Sequence, residues 1–168
     1  PLEMEIWNGL VFIRFQTGPQ PAVAEILARF DDEIAPYDLA NMVPTDSNSM
    51  DDLLAVNWKS VRDVDNEGYH VRQAHPGLHQ LYGDGYFDEP YANGTSRSVG
   101  TFNEAYGHRW SVRKYREILP DADNLTLHQR RQWIYFGMFP NFVLGLYPDS
   151  IIYYQEVPQS AEQTVQRG

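Results

Sequence analysis

Apolar and aromatic positions crowd residues 4–15, with Ile6, Trp7, Leu10, Phe12 and Phe15 the largest among them. That density predicts a β-strand, with Gly9 as a bulge inside it. Thr17-Gly18-Pro19-Gln20-Pro21 reads as a turn, and Pro21 opens a short helix over residues 22–30. Residues 44–52 are polar and turn-like. Residues 53–58 are apolar enough for a buried segment that leads into a helix around 59–69.

The middle of the chain has less periodicity. Residues 82–93 are rich in Gly, Asp and Tyr, a composition that predicts a long loop or lid. Residues 111–119 read as a helix stopped by Pro120, and 126–132 as another. The clearest signal lies at the end, where 133–139, 141–147 and 151–157 are β-prone runs. Pro148-Asp149 joins the last two as a tight turn, so they are expected to form a hairpin, and 163–167 begin one more strand. Of the aromatic run Trp133, Tyr135, Phe136 and Phe139, most belong to the core, with one or two rings facing a cavity. Strands at both ends with helices between them predict an antiparallel α+β domain.

Composition narrows the function classes. The 168 residues match one domain in size, and 42% hydrophobic residues are enough for a core. A net charge of −10 opposes association with nucleic acid or anionic lipid, and Arg130-Arg131 is too short to make a basic patch. No run approaches the ~20 apolar residues of a membrane span. The sequence contains no cysteine, which rules out disulfides, thiolate zinc sites and cysteine-ligated clusters within it. The opening Pro1-Leu2-Glu3-Met4 carries no secretory leader, so a cytoplasmic location is expected. No G-x-S-x-G or H-E-x-x-H element supports a hydrolase or zinc-protease reading.

The candidate chemistry sits among the five histidines, His70, His75, His79, His108 and His128. Two neutral imidazoles and a carboxylate can hold iron and leave positions open for dioxygen and substrate. On one regular helix, residues five apart diverge by roughly 140°. His70 and His75 can therefore share a metal only if the helix breaks between them, and Pro76 biases His75 out of the helical region. His75 and His79 form a rival pair whose spacing fits one helix face, although Pro76 puts His75 at its very end. Asp84, Asp88 and Glu89 read as a solvated acidic stretch, and Gly83-Asp84-Gly85 as turn chemistry.

The order of motifs carries a resemblance. Asn57-Trp58-Lys59, then Glu67-Gly68-Tyr69-His70, then His75-Pro76 resembles the iron-binding segment of Rieske-type aromatic-ring-hydroxylating oxygenase α subunits. Trp7-Asn8-Gly9-Leu10-Val11-Phe12-Ile13 resembles the strand that follows the Rieske domain in that family. Phe139-Pro140-Asn141 and Tyr153-Tyr154-Gln155-Glu156-Val157-Pro158 resemble its later core strands. The resemblance implies a helix-grip α+β fold, in which an antiparallel sheet curves over a helix and encloses an apolar pocket. It implies His70 and His75 as ligands of a mononuclear Fe(II), with Tyr69 beside them. Glu67 matches the acidic position that links the iron site to the Rieske cluster of a neighbouring subunit. Asp is commoner there, and an Asn often found two turns before the first ligand is replaced here around Asp63 and Val64.

The family's Cys-His Rieske motifs, which hold its 2Fe-2S cluster, and its third iron ligand, a late Asp, have no counterpart in residues 1–168. The chain is thus expected to be a fragment of the catalytic domain, without turnover on its own. In intact form, the family implies a homotrimer that hydroxylates or demethylates a small, often aromatic, substrate. Dioxygen and electrons from NAD(P)H, passed on by a ferredoxin or reductase, complete the reaction. The alternative is a metal-free helix-grip module that binds an apolar small molecule. Fold alone does not separate the two, but a lipid carrier has no use for two imidazoles and an acid between residues 67 and 75.

Overall fold

The computed structural model describes residues 2–15, 18–45 and 51–168. These form two compact units, Pro1–Thr45 and Asp46–Gly168. Part of the expected turn at 17–21 and most of the polar stretch at 44–52 lie outside the described residues.

The first unit opens with a hairpin rather than one bulged strand. β1 (Glu3–Trp7) and β2 (Leu10–Arg14) pair antiparallel, with Trp7 opposite Leu10. Asn8 and Gly9 both have positive φ, at 47° and 83°. Asn-Gly is the pair that a tight two-residue hairpin turn favours, so the glycine makes a reversal, not a bulge. α1 (Val23–Leu27) follows, with a 3₁₀ turn over Ala28–Phe30 and then α2 (Asp31–Ile34). Val23, Leu27, Phe30, Ile34 and Tyr37 are all buried, and their spacing of four, three, four and three is the helical repeat. The Glu5 carboxylate accepts from the backbone N–H groups of Val23 at 2.8 Å and Ala24 at 3.1 Å. It satisfies donors that a helix start otherwise leaves unpaired.

The second unit is built on a seven-stranded antiparallel sheet. Its strands are β3 (Asp51–Leu54), β4 (Tyr86–Pro90), β5 (Thr95–Thr101), β6 (Gln132–Met138), β7 (Phe142–Leu146), β8 (Ile151–Ser160) and β9 (Gln163–Arg167). Their order is β3-β9-β8-β7-β6-β5-β4, so β4 to β9 form a simple meander and β3 closes the far edge beside β9. All five residues of β7 are buried, as befits the middle strand. The expected α+β architecture is present, and the three strands and hairpin expected near the end are there.

Several local expectations fail, each for a physical reason. Residues 86–90 are an edge strand, not a lid, because pairing to β5 gives their backbone a ladder that their polar composition conceals. Leu53 lies in the other edge strand and is exposed. The helix expected at 126–132 is only a 3₁₀ turn over Gln129–Arg131, preceded by a loop in which the Thr126 and Gln129 side chains bond each other. Phe136 is core, but Phe139 is exposed beyond the end of β6.

Four helices complete this unit: α3 (Trp58–Asp65), α4 (Val71–Ala74), α5 (Pro76–Tyr82) and α6 (Trp110–Ile118). Val71 of α4, Leu81 and Tyr82 of α5, Phe102 after β5 and Val112 of α6 form a common core, with Trp133 of β6 packed against it, while α3 packs on β8. The Asn57-Trp58-Lys59 motif has a structural role here. Asn57 Oδ1 caps α3 by accepting from the Lys59 N–H at 3.0 Å, while its Nδ2 donates to the Ala161 carbonyl at 2.8 Å. One side chain thus starts the helix and ties that start to the turn between β8 and β9, a cap worth about 1 kcal/mol.

Candidate metal centre

α3 ends at Asp65, and Asn66 seals that end. Its Nδ2 donates to the Arg62 carbonyl at 2.7 Å, and its Oδ1 accepts from Ser96 Oγ of β5 at 2.7 Å. Glu67 therefore lies in the link between helices, not on the helix expected around 59–69. From the link it still reaches His70: Nδ1 of the ring donates to Glu67 Oε1 at 2.5 Å, and Glu67 Oε2 accepts from the His70 N–H at 3.2 Å. The pairing fixes Nδ1 as the protonated nitrogen and leaves Nε2 available.

The break between the two histidines is present. α4 stops at Ala74, and His75 has φ −122° and ψ 68°, outside the helical region, before Pro76 starts α5. That turn of the backbone cancels the divergence a continuous helix would impose. The His70 and His75 rings consequently meet, with centroids 5.1 Å apart and planes at 78°. His79 turns elsewhere and packs edge-on against Tyr106 at 5.5 Å.

An ion ligated at roughly 2.1 Å would lie roughly 3.2 Å from each imidazole centroid, so two such centroids would stand about 4.5 to 5.2 Å apart for bond angles from about 90° to about 109°. The observed spacing fits the two-imidazole part of an iron site. Among the described residues, no group of three His, Asp or Glu is gathered closely enough to hold a metal ion, so the carboxylate of a two-histidine, one-carboxylate set is not placed.

The surroundings are aromatic and partly acidic. Tyr82, Trp133, Tyr115, Tyr147 and Tyr135 form a chain of edge-to-face contacts, with centroids 4.7 to 5.8 Å apart. Trp133 Nε1 donates to Tyr115 Oη at 2.8 Å, and Tyr147 Oη donates to Tyr135 Oη at 3.3 Å. Burial holds these phenols neutral, raising all of them above their ordinary value. A cavity of about 300 Å³ opens on the segment after Glu67, lined by Tyr69, Arg72, His79, Asp84, Tyr86 and Asp88 among others. Polar and apolar groups both contribute to its wall, and neither His70 nor His75 lines it.

One pair of groups escaped the sequence reading. Asp65, at the end of α3, interacts directly with Glu156 of β8, which is completely buried. Neither Glu156 oxygen has a well-formed hydrogen-bond partner among the described residues, nor has Asp65 Oδ2. Burial, first, and the neighbouring Asp65 carboxyl push Glu156 from 4.5 up to about 7, against the opposing charge of Arg62. Burial likewise raises Asp65. The folded state thus binds a proton more tightly than the unfolded chain, so this pair stabilises the fold below about pH 4.5 and loses that contribution as pH rises through about 7. Glu156→Gln should flatten the decline and gain on the order of 2 kcal/mol over the parent at pH 8, with little gain at pH 5. Urea unfolding at both pH values measures it, and parallel curves would contradict the raised pKa of Glu156.

Residues 36–167 match the family model described as ring hydroxylating alpha subunit (catalytic domain). The chain belongs to this family. Glycine betaine monooxygenase oxygenase subunit of Chromohalobacter salexigens is 29% identical over 121 residues, which are 68% of this chain and 26% of that protein. The subunit of the same description from Pseudomonas aeruginosa is 31% identical over 78 residues, 46% of this chain and 18% of that one. In solved structures, the quaternary ammonium Rieske monooxygenase CntA with a bound inhibitor superposes with a TM-score of 0.72 at 19% identity, covering 99% of this chain and 41% of that one. Its complex with L-carnitine gives 0.69 at 20% identity. The fold is therefore that of Rieske oxygenase catalytic domains, and this chain spans well under half the length of the relatives it matches. The family is one of oxidoreductases that use non-haem iron and a Rieske 2Fe-2S cluster.

Proposed function

We propose that this chain is the iron-bearing part of a Rieske-type oxygenase, with His70 and His75 as the two imidazole ligands of a mononuclear Fe(II). The observation that carries the reading is the meeting of the two rings at 5.1 Å across a helix break, with Glu67 on the Nδ1 of the first. Bound there, iron would supply the activation of dioxygen for insertion into a small organic substrate. The protein's own residues have narrower tasks. Pro76 and the irregular backbone of His75 turn the second ring toward the first. Glu67 fixes the tautomer of His70 and makes its Nε2 a better donor. The buried Tyr82 ring, packed edge-on against Trp133, excludes water from the core beside Val71.

Glu67 also fits the acidic position through which electrons enter from a Rieske cluster held by a neighbouring subunit, in a homotrimer fed by a ferredoxin or reductase. The relatives named for glycine betaine and L-carnitine make a small quaternary ammonium compound the first substrate class to try. A permanent cation is also compatible with an interior rich in aromatic faces. The paired imidazoles favour this reading over a metal-free carrier of the same architecture.

The test uses an oxygenase that carries this domain with its Rieske domain, supplied with NADH and electron-transfer partners. Substrate-dependent oxygen uptake with glycine betaine or carnitine, matched by product, is the expected result. Oxygen uptake with neither these nor simple aromatic acids, from protein shown to hold both iron centres, would contradict it.

A further inference from the structure

We propose that Asp88 is a positioning residue for the segment that presents Glu67 and His70, an inference that rests on the iron reading above. Asp88 stands in β4 directly opposite Ser98 of β5. Its two carboxylate oxygens are divided between two tasks. Oδ1 accepts from Ser98 Oγ at 2.6 Å, which orients the carboxylate against the neighbouring strand. Oδ2 accepts from the backbone N–H of Gly68 at 2.7 Å, in the link between α3 and α4. Both bonds have an ionisable acceptor and are short, the class of hydrogen bond with the most strength and direction.

The site of attachment matters. Gly68 immediately follows Glu67 and lies two residues before His70, outside both helices, with its carbonyl accepting from the Val71 N–H at 3.1 Å and its N–H turned to Asp88. A Cβ on Gly68 would fall within 1.8 to 2.1 Å of Tyr86 ring atoms, so the bare backbone rests directly on β4. Asn66, one residue before Glu67, is held to the same β5 by Ser96. The link is therefore clamped to the β4–β5 hairpin on both sides of Glu67, and Asp88 is the clamp nearer the histidine. Asp88 does not touch the candidate metal. It sets the backbone from which Glu67 reaches Nδ1, so its loss would blur the geometry of both side chains while leaving the sheet intact.

Amide hydrogen exchange at Gly68 and Co(II) titration of the chain test this together, with Co(II) as a spectroscopic stand-in for Fe(II). In the parent, the Gly68 amide should exchange at least about tenfold more slowly than that of the exposed Tyr69. Asp88→Ala should erase that protection and weaken Co(II) binding roughly tenfold or more, with Tm lowered by no more than about 4 °C. Asp88→Asn keeps an acceptor for the Gly68 N–H and should restore most of both. An unprotected Gly68 amide in the parent would overturn the proposal whatever the variants do. So would an alanine variant that matches the parent, or an asparagine variant as impaired as alanine. A parent that binds no Co(II) counts against the iron reading instead, and Gly68 exchange in the variants then decides Asp88's role alone.

Discussion

Alanine in place of His70 or His75 is expected to weaken binding of Fe(II) or Co(II) by at least about a hundredfold, more than loss of a group that only supports a ligand. The rings are 5.1 Å apart and stand at the two ends of α4, so each contributes one of the two nitrogens and neither can replace the other. His79→Ala is the internal control. It sits one turn into α5 against Tyr106 and should leave affinity within about twofold of the parent. Titration of the three variants followed by Co(II) absorption separates the pairs that the spacing alone left open. Equal losses for His75→Ala and His79→Ala would reinstate the rival pair.

The second large effect concerns electron entry rather than metal binding. In an oxygenase carrying this domain, Glu67→Gln should keep most of the iron and the parent's assembly state yet lose turnover by at least about tenfold. Glutamine can still accept a hydrogen bond from His70 Nδ1, which is why the metal stays. It cannot offer the negative charge that now lies 2.5 Å from that nitrogen, which is why transfer through the pair should suffer. Iron content and single-turnover kinetics must be read together. Loss of both would make Glu67 a structural support, and near-normal turnover would make it a bystander.

What could be read from the sequence follows physical range. The break at Pro76 is a local steric effect between adjacent residues, so it was visible from the chain alone and is found where expected. β6, β7 and β8 were equally legible, because their β-prone runs are separated by turn residues. β5 and β4 were not. Thr95-Ser96-Arg97-Ser98-Val99-Gly100-Thr101 carries little apolar alternation, and its strand character comes from partners on both sides, β4 and β6. The apolar run continues through Gly9 and so suggests a bulge there, although the left-handed backbone of Asn8 and Gly9 reverses the chain. The helical pattern of 59–69 runs through Glu67, whereas Asn66 and Ser96 end α3 before it. The contact with His70 survives because a long acidic side chain bridges three residues in either geometry. Asp65 and Glu156 could not be paired in advance, since only the packing of α3 on β8 brings them together.

The central claim, that His70 and His75 share one iron, is tested most directly by X-ray absorption at the iron edge on the Fe(II)-loaded chain. The account predicts two imidazole nitrogens per iron at about 2.1 Å, falling to one in His75→Ala, with water filling the vacated position. One imidazole in the parent, or two that persist after His75 is removed, would contradict it.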